Sequence, residues 1–181
     1  IMDIVNKKLD LSYYVAKEMP EALRAIGRKT VKAFRVTNRF VHLEYFRLDR
    51  PRKNLGEAGD FVALEVNMRP AGGYTPDMIN YAHSTDVYRI WADMVAFGRS
   101  DLAAAPGEQD EYYCVFASRR DIYRYVHSHG EILGKYGEAM VMCERMPDIM
   151  SGAMGNQMYT VRLKTEEEKD EFIRFVHEKI Q

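Results

Sequence analysis

Two apolar stretches, at residues 40–48 and 61–69, flank a charged loop and limit what this chain can fold into. Both stretches are rich in aromatic and aliphatic residues, a composition that favours β-strands. The loop at 49–60 contains proline, asparagine and two glycines, which are typical turn residues. The sequence therefore predicts a long antiparallel hairpin.

Polar residues occupy alternate positions in the second stretch. Because successive side chains of a strand point to opposite faces, Glu65, Asn67 and Arg69 are predicted to share one face. If the hairpin closes symmetrically about its loop, Leu48 lies opposite Phe61. This register then determines which residues of the first strand lie opposite the polar residues of the second.

Counting back along this register places Glu44 opposite Glu65 and His42 opposite Asn67. Like charges directly opposite on a sheet are destabilising, so the two glutamates favour a bound cation. Two carboxylates and an amide oxygen suit Mg²⁺, which completes its shell with water and phosphate oxygens. The sequence thus indicates a metal site on this face, with a nucleoside triphosphate as the natural third partner.

The residues after the metal candidates suit an anion. The planar guanidinium of Arg69 could hold a phosphate or a substrate carboxylate. Gly72 and Gly73 precede a helix predicted to start near Thr75, where backbone N–H groups can approach an anion. We therefore include both glycines among the candidate nucleotide-binding residues.

Two other interpretations of the polar face stay open from the residues alone. Glu65, Asn67 and Arg69 could be the solvent face of a half-buried strand, with Arg69 paired to a glutamate. Alternatively, Glu44 and Glu65 could act as the acid and base of a hydrolase. The second alternative leaves Asn67 and Arg69 without a role.

Glu44 and the segment Glu65-Val66-Asn67-Met68-Arg69 together resemble the metal-binding strands of ATP-grasp ligases. The extension at 69–74, Arg-Pro-Ala-Gly-Gly-Tyr, is similar to the biotin-carboxylase-like and carbamoyl-phosphate-synthase-like branch. The match is specific over residues 40–97 and weaker from residue 110 onward.

This resemblance implies an ATP- and Mg²⁺-dependent ligase that phosphorylates a small-molecule carboxylate to an acylphosphate, which an amine or other nucleophile then attacks. Glu44, Glu65 and Asn67 would be the metal ligands. Arg69 would stabilise the acylphosphate transition state. Thr75 and Asp77 are candidates on the substrate side.

The ATP-binding lobe of that family precedes these strands, and fewer than 40 residues stand before them here. We therefore expect the chain to be a C-terminal part of a longer ligase and to be inactive alone. A non-catalytic binding or assembly module on an ATP-grasp scaffold is the alternative function.

Elsewhere, apolar spacing predicts helices, a linker and a second group of elements. Residues 2–5 are strand-like. The predicted helices before the linker span 19–34, 75 onward, and 86–97 with Gly98 as the stop, and a linker is predicted at 99–110. Beyond it we predict a strand at 111–117, a helix at 119–135, a strand at 138–145, a loop at 151–155, a strand at 157–163 and a helix at 165–180.

The predicted fold class is α+β, with an antiparallel sheet and flanking helices forming the C-terminal part of an ATP-grasp domain at 1–99. A small β-α-β-β-α module follows at 110–181, and it is expected to pack against the first domain or to form a homodimer contact. Arg119 and Arg120 are placed at the start of a helix, on the surface, with a phosphate contact as the alternative. His127 and His129 are placed at the end of that helix.

Charge and cysteine content narrow the function classes. Lys plus Arg number 26 against 27 Asp plus Glu, so no basic field indicates a nucleic-acid partner. Cys114 and Cys143 lack the spacing of a zinc site or disulfide framework. No apolar run is long enough to span a membrane, and we expect a cytoplasmic protein.

Overall fold

The computed structural model describes residues 2–102 and 111–180. In chain order the elements are α1 (Met2–Asn6), β1 (Ser12–Val15), α2 (Glu21–Ala33), β2 (His42–Arg47), β3 (Phe61–Asn67), α3 (Thr75–His83), α4 (Val87–Phe97), β4 (Tyr113–Arg119), α5 (His129–Tyr136), β5 (Met140–Arg145), α6 (Asp148–Met154), β6 (Gln157–Leu163) and α7 (Glu166–His177). A short 3-10 helix, Gly137–Ala139, precedes β5. The predicted α+β class, with antiparallel sheets flanked by helices, is confirmed.

The chain divides into two compact units. Unit 1 comprises Ile1–Lys17, Met78–Ser84 and Gln109–Gln181, and unit 2 comprises Glu18–Asp77 and Thr85–Glu108. The linker predicted at 99–110 falls largely on residues 103–110, which lie outside the described residues. The division into domains at 1–99 and 110–181 therefore stays a prediction.

Unit 1 is built on a four-stranded antiparallel sheet in the order β1-β4-β6-β5. Helix α7 packs against β4 and β6. The alternate apolar residues of these strands meet those of α5 and α7 in one buried core: Val115, Ala117, Ile132, Tyr136, Tyr159, Val161, Leu163, Phe172 and Val176. This core gives unit 1 the layered packing of a sheet covered by helices.

Unit 2 contains the two-stranded sheet β2-β3 and the helices α2 and α4. The start of α4 is set by Asp86, whose side chain accepts a hydrogen bond from the Arg89 backbone N–H. Gly98 ends the same helix in the left-handed conformation, at φ 70°. The predicted helix at 86–97 and its glycine stop are therefore confirmed.

The predicted hairpin strands are confirmed with shorter bounds, since β2 spans His42–Arg47 and β3 spans Phe61–Asn67. Helix α2 confirms the helix predicted at 19–34, and Pro20 is its N-cap residue. Strand β6 matches the prediction at 157–163.

Other local predictions were wrong. Residues 2–5 lie in helix α1, not in a strand. The helix predicted at 119–135 is limited to α5, because Ser128 and Glu131 form a capping box that starts the helix at His129. The two histidines therefore flank the start of a helix, not its end.

The loop predicted at 151–155 is mostly the short helix α6, which has Pro147 at its N-cap and Asp148 in its first turn. Gly155, at φ 87°, ends this helix. Strand β1 was not predicted, and it pairs with β4 about a hundred residues later in the chain. Within residues 2–102 and 111–180, no helix has the length and apolar character to cross a membrane.

Candidate functional site

The candidate site lies on the β2-β3 sheet, where the register brings the predicted acidic residues together. Glu44 pairs with Glu65, and His42 pairs with Asn67. Directly opposite residues of an antiparallel pair share a face, and so do residues two apart on one strand. All four side chains therefore lie on one face, as predicted.

The register near the loop differs from the prediction. Arg47 pairs with Phe61, and the backbone N–H of Leu48 donates to the carbonyl of Asp60 at 2.9 Å. Leu48 is therefore not opposite Phe61. A bulge between Glu44 and Tyr45 absorbs the one-residue difference, with Leu64 as the extra residue of β3. The bulge is why the pairing of Glu44 with Glu65 still holds.

Helix α2 covers the other face of this sheet. The Thr30 hydroxyl lies 2.6 Å from the Tyr45 hydroxyl. A Cβ built on Gly27 would lie 3.9 Å from Leu43. Because Leu43 and Tyr45 alternate with His42 and Glu44, the polar face is turned away from α2.

An ion pair and two unpaired atoms mark the polar face. His42 Nε2 lies 3.7 Å from Glu44 Oε1, and these side chains are 29% and 34% exposed. His42 Nδ1 and Asn67 Nδ2 are buried and have no hydrogen-bond partner in the part of the chain that the structure describes. Buried polar atoms are normally paired, so these two unsatisfied atoms are exceptions on this face.

The contact between His42 and Glu44 was not predicted from the sequence. Their spacing of two in a strand was available as a signal, since it puts both side chains on one face. His42 is thus a neighbouring polar group for Glu44. Glu65, which is exposed, has no such partner among the described residues.

Arg69 is not part of β3, which corrects the predicted strand. The strand ends at Asn67, and Arg69 lies in a bend beyond it, where its Nη1 donates to the Pro70 carbonyl at 2.9 Å. Strand alternation therefore does not place Arg69 on the face of Glu65. Its exposed guanidinium lies against the backbone of the next residue.

The two candidate glycines lie in open space before α3. A Cβ built on Gly72 or Gly73 would meet nothing within 4 Å. Gly73 has φ 61°, a left-handed conformation that glycine adopts without steric cost. The backbone conformation therefore accounts for a glycine at this position without a ligand. Thr75 begins α3, and its N–H lies 3.4 Å from the Gly72 carbonyl.

Asp77, a substrate-side candidate, accepts a hydrogen bond from the Tyr88 hydroxyl at 3.0 Å. Desolvation and this aspartate raise the pKa of Tyr88. Asp77 is thus held by a neighbour in unit 2.

The donor types on the polar face, two carboxylates and an amide, are those that a hard divalent cation takes. Within residues 2–102 and 111–180, no three His, Cys, Asp or Glu residues form a metal-binding group. Glu44 and Glu65 supply two carboxylates, and Asn67 supplies an amide oxygen beside them in the register. Mg²⁺ needs only a few protein oxygens when phosphate oxygens and waters supply the rest.

Comparisons with known proteins give a fold and no family. No family model and no curated protein matches the chain. Among solved structures, the chain is similar to phosphoribosylglycinamide synthetase from Anaerococcus prevotii, with a TM-score of 0.62 and 10% sequence identity. The match covers 92% of this chain and 43% of that one, so this chain spans less than half the length of its structural relative.

At this identity the likeness concerns the fold alone. The architecture is consistent with the C-terminal part of an ATP-grasp fold, as the sequence predicted.

Proposed function

We propose that this chain carries the metal- and phosphate-binding half-site of an ATP- and Mg²⁺-dependent carboxylate ligase. The observation that carries the proposal is the strand register, which puts Glu44 opposite Glu65 on one face with Asn67 beside them. The fold likeness to a ligase supports the same reaction class. Assignment to the biotin-carboxylase-like and carbamoyl-phosphate-synthase-like branch rests on residues 69–74.

Glu44, Glu65 and Asn67 would hold the cation. Bound Mg²⁺ supplies positive charge that offsets the triphosphate and polarises its oxygens. His42 would orient Glu44, since its Nε2 lies 3.7 Å from that carboxylate. The two glutamates would otherwise repel each other across the strands, so metal binding relieves an unfavourable pair.

Arg69 would stabilise negative charge on the reacting carboxylate and phosphoryl oxygens. Its guanidinium has to leave the Pro70 carbonyl to do so. Because the side chain is exposed and held by the neighbouring backbone carbonyl, this movement breaks one hydrogen bond. Gly72 and Gly73 would offer backbone N–H groups to phosphate oxygens.

The reaction transfers the terminal phosphoryl group of ATP to an oxygen of a small-molecule carboxylate, which yields ADP and an acylphosphate. An amine or similar nucleophile then attacks the acyl carbon and orthophosphate leaves. The choice of a carboxylate as acceptor follows from the resemblance of residues 44 and 65–69 to the ligase strands.

The test uses Mn²⁺ as a paramagnetic probe for the Mg²⁺ site, with and without ATP. We expect selective broadening of backbone amide signals of residues 42–46 and 64–68 in NMR spectra, because a bound paramagnetic ion relaxes nearby nuclei. Added ATP should strengthen the effect, since its phosphates complete the metal shell. This readout detects weak binding, as expected of a half-site.

The informative variant is Glu65→Gln, which removes one charge and keeps the shape of the side chain. The matched control is Glu57→Gln, an exposed glutamate in the loop of the same hairpin. Loss of broadening in Glu65→Gln with retention in Glu57→Gln would locate the site. Broadening that is absent from the unsubstituted chain, or equal in both variants, would refute the half-site.

A further inference from the structure

A polar cavity lies entirely within unit 1, and the proposed ligase function makes no use of it. Its volume is about 380 Å³, within the range of small-molecule sites. It is lined at the end of β4 by a basic and aromatic set that includes Arg119, Arg120, Tyr125, His129, Arg145 and Tyr159.

Arg119 belongs to β4, not to a surface helix, and is 7% exposed. Its Nε donates to the Val176 carbonyl at 2.6 Å, and its Nη1 donates to the His127 carbonyl. The guanidinium carbon lies 4.4 Å from the centre of the Tyr125 ring. The remaining nitrogen, Nη2, is buried with no partner among the described residues.

Arg120 is 4% exposed and is held in the same way. Its Nε donates to the Leu9 carbonyl at 2.8 Å, and its Nη1 lies 3.1 Å from the carbonyls of both Ser151 and Gly152. Its Nη2 is also buried and unpartnered in the described part of the chain. The prediction of a basic surface pair was therefore wrong for both arginines.

Neither guanidinium has a carboxylate partner among the described residues, which distinguishes them from Arg145 in the same cavity. Arg145 forms two hydrogen bonds to Asp121, at 2.8 and 2.6 Å. Burial lowers the pKa of Arg119, as expected for a cation without a paired anion. A buried charge is costly unless it is paired, so each of these buried guanidinium groups favours a directly bound anion.

The nearby acidic residues are already engaged. Asp10 accepts a hydrogen bond from Tyr125 at 2.6 Å and pairs with Lys179 at 2.8 Å. Glu131 accepts from the Ser128 backbone in the cap of α5. These two carboxylates of the described residues are therefore not available to pair with the arginines, and we expect a bound anion to be their counter-ion.

We propose that this cavity binds a phosphate group to Arg119 and Arg120, which both line it and whose Nη2 atoms, closed to solvent in this structure, turn toward the phosphate when it binds. A phosphate monoester carries a charge of about −1.5 to −2 near neutral pH, which matches two guanidinium groups, whereas a carboxylate neutralises only one. His129 Nδ1 lies 2.9 Å from the Tyr159 hydroxyl, and these rings supply walls for an attached organic group. The proposal is independent of the ligase half-site, whose residues lie in unit 2.

The experiment titrates inorganic phosphate into the chain and follows the arginine side-chain Nε–Hε signals by NMR. We expect the signals of Arg119 and Arg120 to shift with saturation. The variants Arg119→Lys and Arg120→Lys should each weaken phosphate binding at least about tenfold, since each removes a charge-assisted bond of fixed geometry.

Arg162→Lys is the matched control. Arg162 lies in β6 of the same sheet, packs 3.9 Å from the Tyr112 ring and also has a buried unpartnered nitrogen, yet it does not line the cavity. Its substitution should leave the affinity unchanged. An equal loss in Arg162→Lys would overturn the proposal, and so would unshifted Arg119 and Arg120 signals in the unsubstituted chain, even if the lysine variants unfold.

Two further probes separate the sources of the phosphate group. Tighter binding of glycerol 3-phosphate than of inorganic phosphate would identify an organic ester as the ligand, and equal affinities would identify free phosphate. Acetate that binds as tightly as phosphate would contradict the charge argument and the proposal with it.

Discussion

Unit 1 and unit 2 differ in how much of their apolar surface they bury. Most strand residues of β4 and β6 are buried, and Phe172 and Val176 of α7 are 0% exposed. Among the described residues of unit 2, Pro76 and Ile90 alone are buried, while Phe46 and Phe97 are 57% and 75% exposed. A two-stranded sheet has too few strands to build a core of its own.

This difference predicts whether a substitution alters binding or folding stability. The metal candidates lie on a sheet held mainly by strand pairing, so changes there should alter binding more than stability. Arg119 and Arg120, which are proposed to bind phosphate, are part of a packed unit, where a change in side-chain shape is expected to affect folding. The following predictions test this contrast, from the largest expected effect to the smallest.

The largest effect is expected from truncating one aromatic side chain in each unit. Phe172→Ala should lower the free energy of unfolding of unit 1 by about 3–5 kcal/mol, because it leaves a cavity in a closed core. Phe97→Ala should change unit 2 by less than about 0.5 kcal/mol, because that ring is largely exposed. The stability effects of the two substitutions are measured by amide hydrogen exchange in β4 and β6, compared with β2 and β3. Equal acceleration in the two sheets would refute the contrast.

A smaller effect is expected when alanine replaces a glycine with positive φ in each unit. Gly155 has φ 87°, and a Cβ there would lie 2.6 Å from Ser118 Oγ and 3.0 Å from the Arg119 carbonyl. Gly59 has φ 94° with nothing within 4 Å of a Cβ. Gly155→Ala should cost at least about 2 kcal/mol, because backbone strain and overpacking add.

Gly59→Ala should cost only the strain, about 1–2 kcal/mol. Urea denaturation of both variants provides the comparison. If Gly59→Ala lost more free energy of unfolding than Gly155→Ala, close packing around Gly155 would not be the cause of the expected sensitivity.

The smallest effect is a pH dependence confined to unit 1. Burial lowers the pKa of His177, against the influence of Asp10, and its Nε2–H donates to the Ser118 carbonyl at 3.0 Å. The unfolded chain therefore takes up a proton near pH 6.5 that the folded unit takes up only at lower pH. Stability should fall as pH drops below about 6.5 toward the lowered folded pKa.

His177→Gln should flatten this slope, measured by hydrogen exchange in β4 and β6 between pH 7 and 5 after correction for intrinsic rates. His42→Gln in unit 2 is the control and should leave the slope in these strands unchanged. A slope unaffected by His177→Gln would assign the acid sensitivity to other groups.

Much of the candidate site could be predicted because its geometry is local. The pairing of Glu44 with Glu65 needs only a hairpin and strand alternation, both visible in 40–48 and 61–69. The prediction was less accurate for Arg69, because strand β3 ends at Asn67 and a bend follows. The bulge at Leu64 has no sequence signal that alternation alone would reveal.

The sequence also contained a signal that its helical periodicity obscured. Ser128 and Glu131 have the spacing of a capping box, which starts α5 ten residues later than apolar spacing predicted it. Strand β1 lacked any comparable local signal, because its partner β4 lies far along the chain.

By itself, the sequence determined the features that depend on near neighbours: the hairpin with its opposed glutamates, the Asp86 and Gly98 ends of α4, and the strand at 157–163. The tertiary structure alone decided the burial and the hydrogen-bond partners of Arg119 and Arg120. Their partners are backbone carbonyls of residues 9, 127, 151, 152 and 176, which only folding brings together. Every residue has a backbone carbonyl, so no sequence pattern predicts where such a partner lies. From the sequence alone, a buried arginine bound to carbonyls cannot be distinguished from an exposed one.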